Sequence, residues 1–250
     1  MTRTLAIASG KGGVGKTWFA ISLSQALARM NRRVLLVDCD VGLANVDVQL
    51  GLGVVTGLHH AVMGEITLSR AIQTPDGIGF DVLPGRSGAV YSGGLDPLMT
   101  GWIGHELLRK SSGYDLIILD LPSGADEGVR ELMRLADADI ILTTGEPTAL
   151  ADAYGLIKAT RRYRVGGVPN IVVNFADDVA AGSQTQAGLG RICDRFLAVK
   201  PRSLGIVRRD SRVPEAICRQ MPLLQCYPGC DAARDVVAVA ETILVMKDWV

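Results

Sequence analysis

Eight residues near the N-terminus, Gly10-Lys11-Gly12-Gly13-Val14-Gly15-Lys16-Thr17, leave this chain few folds to choose from. They match G-x-x-x-x-G-K-[ST], and their flanks are the ones that pattern requires. Residues 5–8 are a short apolar run that reads as a buried strand. Residues 17–30 keep Phe19, Leu23, Ala26, Leu27 and Met30 near one face of a helix. Glycines let backbone N–H groups close around phosphate oxygens without a Cβ clash, and the following helix turns its N-terminus toward the same anion. Lys16 is placed to reach β and γ phosphates, and Thr17 to offer its hydroxyl to Mg²⁺.

The rest of the chain repeats the strand-then-helix rhythm. Strands are expected at residues 34–37, 79–83, 116–119, 140–143, 171–173 and 204–207. Helices are expected at 56–63, 68–72, 102–110, 127–136, 149–163, 184–197, 213–219 and 232–246. Residues 41–47 read as loop or short helix, and the glycine- and serine-rich stretch 86–97 as loop. The short strands are apolar on both faces, which calls for a mostly parallel central sheet with helices on both sides. No linker, repeat or low-complexity tract divides the chain, so one α/β domain over residues 1–250 is expected. A hydrophobic content of 48% argues against disorder.

Charge narrows the partners. With 26 basic and 26 acidic residues, wholesale attraction to nucleic acid or anionic lipid is not indicated. No apolar run is long enough to span a bilayer and no signal-peptide pattern opens the chain, so a cytoplasmic protein is expected. The five cysteines form no CxxC, and reduced, buried thiols are the plain reading. Cys226 and Cys230 are the one close pair, and a disulfide or a metal site shared between subunits is their alternative.

In an open parallel sheet, ligands bind beyond the C-terminal ends of the strands. Asp38 and Asp40 close the second strand and Asp120 closes "LIILD", so the three are expected to converge near the phosphates. Asp120 is the natural oxygen ligand for a hard cation. The alternatives are a helix cap for Asp120 and structural roles for Asp38 or Asp40.

These residues also carry a family likeness. The loop "SGKGGVGKT", with Lys11 at its second position, resembles the deviant Walker A ATPases of the MinD, ParA and nitrogenase-iron-protein group. "LLVDCDVGLANVDVQLG" is similar to the switch I region of the MinD branch and "YDLIILDLPSG" to a Walker B and switch II region. "LPGRSG" and "TGEPTALADAYGLIK" resemble the flagellar-number regulators, FlhG or FleN.

The resemblance implies an ATPase that uses ATP and ADP with Mg²⁺ and dimerises in ATP. Lys11, Lys16 and Asp40 would be catalytic: Lys11 reaching across the dimer to the partner's phosphates, Asp40 positioning the attacking water. Thr17, Asp38 and Asp120 would serve the metal, Asp120 through water. Gly10 to Thr17 would hold the nucleotide together with Trp18, which stands where small polar residues are usual. Asn174 would recognise adenine, and Pro214 and Glu215 would border the base. Phe175 departs from the basic residue common after that asparagine.

The implied function is an ATP-switched dimer that controls the number or placement of a cellular machine, flagella first. Its partners would be a protein cargo or a regulator such as a flagellar GTPase or a transcription factor, with no specific nucleic acid. The alternatives are a MinD- or ParA-like positioning protein with another cargo, a metallocluster-handling ATPase, and a non-hydrolysing scaffold. The glutamine-bearing N-terminal helix by which those regulators activate a GTPase has no counterpart ahead of Leu5, which leaves that activity unsupported. Relatives bind the inner membrane through a C-terminal amphipathic helix. Here Val236, Val237, Ala240, Ile243, Leu244 and Trp249 make an apolar stripe, but the polar face is acid-rich, so a core-covering helix with weak or no membrane association is expected.

Overall fold

The computed structural model describes residues 2–40, 45–53, 56–85, 97–107, 113–161 and 167–246. Seven strands form one sheet: β1 (Arg3–Ser9), β2 (Val34–Asp38), β3 (Asp81–Leu83), β4 (Leu116–Ser123), β5 (Ala138–Thr143), β6 (Asn170–Ala176) and β7 (Arg202–Arg208). Their order is β3-β2-β4-β1-β5-β6-β7, and every neighbouring pair is parallel. The expected mostly parallel sheet is thus parallel throughout, with one isolated antiparallel bridge between Gln73 and Val82 outside the strand pairs.

Alternation along the strands splits the core in two. Leu5, Ile7, Leu36, Ile118, Ile140 and Val172 face one layer. It is covered by α1 (Lys16–Arg29), α2 (Val46–Leu50) and three later helices: α9 (Arg212–Cys218), α10 (Leu223–Cys226) and α11 (Asp231–Val245). Ala6, Ala8, Leu35, Val37, Ile117, Leu119 and Ile141 face the other. That layer is covered by α3 (Leu58–Val62), α4 (Leu68–Ala71), α5 (Pro97–Trp102) with its π-helical continuation Ile103–Leu107, α6 (Glu127–Leu135), α7 (Pro147–Thr160) and α8 (Val179–Leu197).

Local chemistry explains where these elements begin. Asp126 accepts the N–H of Val129 and starts α6, and Asp178 accepts that of Ala181 and starts α8 five residues earlier than periodicity suggests. Pro147 opens α7 at a position where no N–H is needed. Two expectations need correction. β4 does not end at Asp120 but runs on to Ser123, and the four-residue α10 follows Pro222 where no helix was read. The expected loop at 86–97 falls outside the described residues except for Pro97, as do parts of 41–47, 102–110 and 149–163.

The last helix is a core element. Ala232, Ala233, Val236, Val239, Ala240 and Ile243 are buried against α1 and β7, so its apolar stripe is already occupied. Arg208 at the end of β7 grips Asp235 with two guanidinium nitrogens at 2.8 Å each. Trp249 lies outside the described residues. No described helix is long and apolar enough to cross a membrane.

Candidate nucleotide site

β1 delivers the glycine loop to the centre of the sheet's C-terminal edge, and α1 leaves directly from it. Gly13 and Gly15 have φ of 81° and 90°, a region closed to most side chains, and Gly15 forms the N-terminal boundary of α1. Gly10 is required for another reason. A methyl group there would lie 2.3 Å from the backbone oxygen of Asp152, so α7 packs directly on the loop. Ser9 Oγ donates to the Lys11 carbonyl at 2.7 Å.

Lys16 is buried, and its Nζ donates to Ser123 Oγ at 2.7 Å. Burial pulls its ammonium down, while Asp120 and Asp40 oppose that. Asp38 and Asp120 are register neighbours on β2 and β4, both fully enclosed. Burial, and then the facing Asp120, lift the Asp38 carboxyl well above the usual carboxylate range. Three backbone donors counter this: Asp38 Oδ1 accepts from Asp40 N at 3.1 Å, and Oδ2 from Asn45 N and Val46 N at 3.0 Å each. Asp38 therefore ties Asp40 to the start of α2.

Asp120 is raised by burial and held back by Lys16 and the Thr17 hydroxyl. Its Oδ1 is buried and has no hydrogen-bond partner. Asp40 is half-buried, raised by its surroundings and lowered by Lys16. Cys39 between them is a buried thiol pushed far up by burial and by the same carboxylates, which keeps it a thiol.

The orphaned Asp120 oxygen and the Thr17 hydroxyl beside it suit a hydrated Mg²⁺, and the Lys16 ammonium suits the phosphate chain such an ion accompanies. Lys11 is placed differently from the expectation of an outward-reaching cation. Within this chain its Nζ meets Glu146 Oε2 at 2.6 Å and Thr148 Oγ1 at 2.9 Å, at the start of α7. Glu146 is held below the usual range by that contact. The pair is exposed, and ion pairs of this kind exchange readily.

On the far side of the loop, Asn174 at the end of β6 donates from Nδ2 to the Val14 carbonyl at 2.8 Å, while its Oδ1 is buried without a partner. Trp18 is enclosed between the loop and α9, where Val213 and Ala216 lie near it. Pro214 and Glu215 also sit on α9. Glu215 is taken up by Arg212 at 2.7 Å and Arg219 at 2.8 Å, and no described contact joins either residue to the loop.

The sequence reading missed Ser123, Glu146 and Thr148. Ser123 stands three residues beyond Asp120 in "LDLPSG", and a hydroxyl so close after a strand-end carboxylate was the available signal. A cavity of about 560 Å³ lies away from this site, between α3, α4 and the start of β4 around Ile66, Leu68, Trp102 and Tyr114.

A protein-family model described as the CobQ/CobB/MinD/ParA nucleotide binding domain matches residues 5–223. The chain is 32% identical over 241 residues to the antiactivator FleN of Pseudomonas aeruginosa, covering 96% of this chain and 86% of that protein. It is 34% identical over 232 residues to the flagellum site-determining protein YlxH of Helicobacter pylori, covering 91% and 77%. Among solved structures, the septum site-determining protein MinD of Pyrococcus horikoshii, complexed with Mg-ADP, superimposes with a TM-score of 0.79 at 24% identity, covering 97% and 96%. The match supports the same fold, and the loop, the carboxylates and the family model agree on the chemistry. The chain belongs to the CobQ/CobB/MinD/ParA nucleotide binding domain family and is a P-loop ATPase of the MinD and ParA kind.

Proposed function

We propose that this ATPase is a nucleotide-switched homodimer that sets the number or place of a cellular machine, flagella in the first instance. The observation that carries the switch is the position of Lys11. Its ammonium is parked on Glu146 and Thr148 of its own chain, at the mouth of the loop, through contacts weak enough to trade. A γ phosphate presented by a second subunit is a stronger, less solvated partner for that cation. The flagellar assignment is supported by FleN and YlxH, whose names concern flagella or antiactivation and which align over most of this chain.

Each residue has a distinct task in the reaction. Lys16 leaves or shares Ser123 to neutralise β and γ oxygens. Thr17 and Asp120, the latter through water, would hold Mg²⁺, which supplies charge neutralisation to the phosphates. Asp40, half-exposed beside Lys16, orients the attacking water. Asp38 keeps the loop carrying Asp40 in place through three backbone N–H groups. Asn174 fixes the loop through the Val14 carbonyl and offers its free oxygen to the base.

For the metallocluster alternative, which draws Cys226 and Cys230 from two subunits, the structure gives Cys230 another role: its Sγ accepts the N–H of Ala233 at the start of α11.

The test is light scattering coupled to size exclusion, with phosphate release, for wild type, Lys11→Ala, Lys16→Ala and Asp40→Ala in ADP and in ATP with Mg²⁺. Wild type is expected to dimerise in ATP alone. Lys16→Ala should lose ATP binding by calorimetry, Lys11→Ala should bind ATP but stay monomeric, and Asp40→Ala should remain a dimer without turnover. A wild type equally monomeric in both nucleotides defeats the switch. Affinity capture with Asp40→Ala in ATP then names the cargo, and capture of septum rather than flagellar components would move the assignment to division.

A further inference from the structure

The two residues that depart from the family pattern on either side of the site, Trp18 and Phe175, touch each other. Their rings lie 25° from parallel with centroids 6.2 Å apart. Trp18 follows Thr17 in the first turn of α1, and Phe175 follows Asn174 at the end of β6, so both flank the point where a nucleotide must leave the phosphate loop. The convergence is tight. A methyl group on Gly15 would sit 2.4 Å from Trp18 Nε1, 2.6 Å from Asn174 Nδ2 and 2.9 Å from Phe175 Cζ.

We propose that Phe175, stiffened from behind by Trp18, is the stacking platform for the nucleobase, so that this chain recognises its base through an aromatic face. The proposal rests on reading Gly10 to Thr17 as the phosphate site.

Exposure assigns the parts. Trp18 is 5% exposed and Phe175 is half-buried, so a ligand meets the phenyl ring while the indole backs it. The Phe175 ring also carries the Arg209 guanidinium at 5.5 Å from its centroid. That arginine is two-thirds exposed, with a 3.8 Å pairing to Asp177 as its ionic contact, so it is free to slide off or to lie over a bound base. Phe175 has φ of +55°, a left-handed conformation that a residue with a β-carbon adopts only when its surroundings enforce it, as they do around ligand clamps.

One further atom indicates that something belongs here. Asn174 Oδ1 is a buried acceptor without a partner, next to Phe175 in the chain. Buried polar groups are normally paired, and the amino group of a flat heterocycle supplies the complement.

The experiment separates base from phosphate. Isothermal titration compares Mg-ATP with Mg-tripolyphosphate, which occupies the loop but has no base. Phe175→Leu keeps an apolar side chain against Trp18 and removes the ring, and Phe175→Tyr restores it. Loss of base stacking on an aromatic side chain costs a factor of about 5 to 150. Phe175→Leu should therefore weaken Mg-ATP about tenfold and leave Mg-tripolyphosphate unchanged, and Phe175→Tyr should recover most of the loss. In a background with Trp102→Phe and Trp249→Phe, the remaining Trp18 emission should change with ATP and not with tripolyphosphate. Equal weakening of both ligands, or of neither, overturns the platform. Wild type that binds tripolyphosphate as tightly as ATP also overturns it and leaves the phosphate site standing. Wild type that binds neither removes the phosphate reading and the platform with it.

Discussion

Asp38→Asn separates a loop anchor from a metal ligand. In the wild type, one carboxylate oxygen takes the N–H of Asp40 and the other takes those of Asn45 and Val46. An amide has one acceptor oxygen. If it keeps the pair at the start of α2, its NH₂ faces the Asp40 N–H and one buried donor is orphaned, which costs about 1–3 kcal/mol. Relief of the repulsion with Asp120 offsets part of this. At roughly 2–4 °C per kcal/mol for a chain of this size, Tm should fall by about 2–12 °C. Asp38→Ala orphans three donors and should fall further. Nucleotide affinity, which rests on Lys16 and the glycine loop, should change by less than about tenfold in Asp38→Asn, while turnover drops because Asp40 loses its fixed position. Thermal unfolding of the nucleotide-free protein, calorimetry with Mg-ATP and phosphate release provide the three numbers. An unchanged Tm together with abolished Mg²⁺-dependent binding would show that Asp38 holds the metal and refute the anchor.

Asp38, Asp120 and Asp40 have native pKa values raised by burial, so between about pH 4 and those values the folded state binds more protons than the unfolded one. Stability of the nucleotide-free protein should therefore fall as pH rises from about 4 to about 8. The carboxylates held low by arginines, such as Glu131 and Asp115, act only below that window. Mg-ADP should flatten the slope, and denaturant unfolding that is level with pH without nucleotide would contradict the carboxylate cluster. Cys230→Ser should retain the α11 cap and Cys230→Ala should lose about 0.5–2 kcal/mol, with metal content near zero in both. A stoichiometric metal lost in either variant would restore the metallocluster reading. Co-sedimentation with anionic liposomes in ATP and Mg²⁺ should be weak, because the apolar face of α11 is spent on the core. Strong pelleting abolished by Lys247→Glu would assign membrane contact to the chain's C-terminus after all.

The phosphate loop and the convergence of Asp38, Asp40 and Asp120 were legible because both follow from chain-local rules: a glycine pattern between strand and helix, and carboxylates at parallel strand ends. What was not legible depends on strand order. Glu146 reaches Lys11 only because β5 lies beside β1, and Phe175 meets Trp18 only because β6 is the next strand out. Ser123 was hidden by a different cause. β4 runs three residues past Asp120 with its last two positions progressively exposed, where an apolar pattern gives no cue. The expectation that α11 covers the core is met by the burial of Val236, Ala240 and Ile243, while Asp235 on its polar side is taken up by Arg208.

The glycine loop is encoded within the first 17 residues, yet almost nothing that shapes it is. Lys16 is held by a hydroxyl 107 residues later and Val14 by an amide 160 residues later, and Gly10 leans on the backbone of α7. During synthesis the motif emerges well before these supports. The loop lacks its supports until β4, α7 and β6 have joined β1, so tight nucleotide binding becomes available only when the sheet is nearly complete. ATP then acts as a late clasp on the fold, bound by finished molecules and ignored by partial ones, and its stabilisation is added by mass action after assembly.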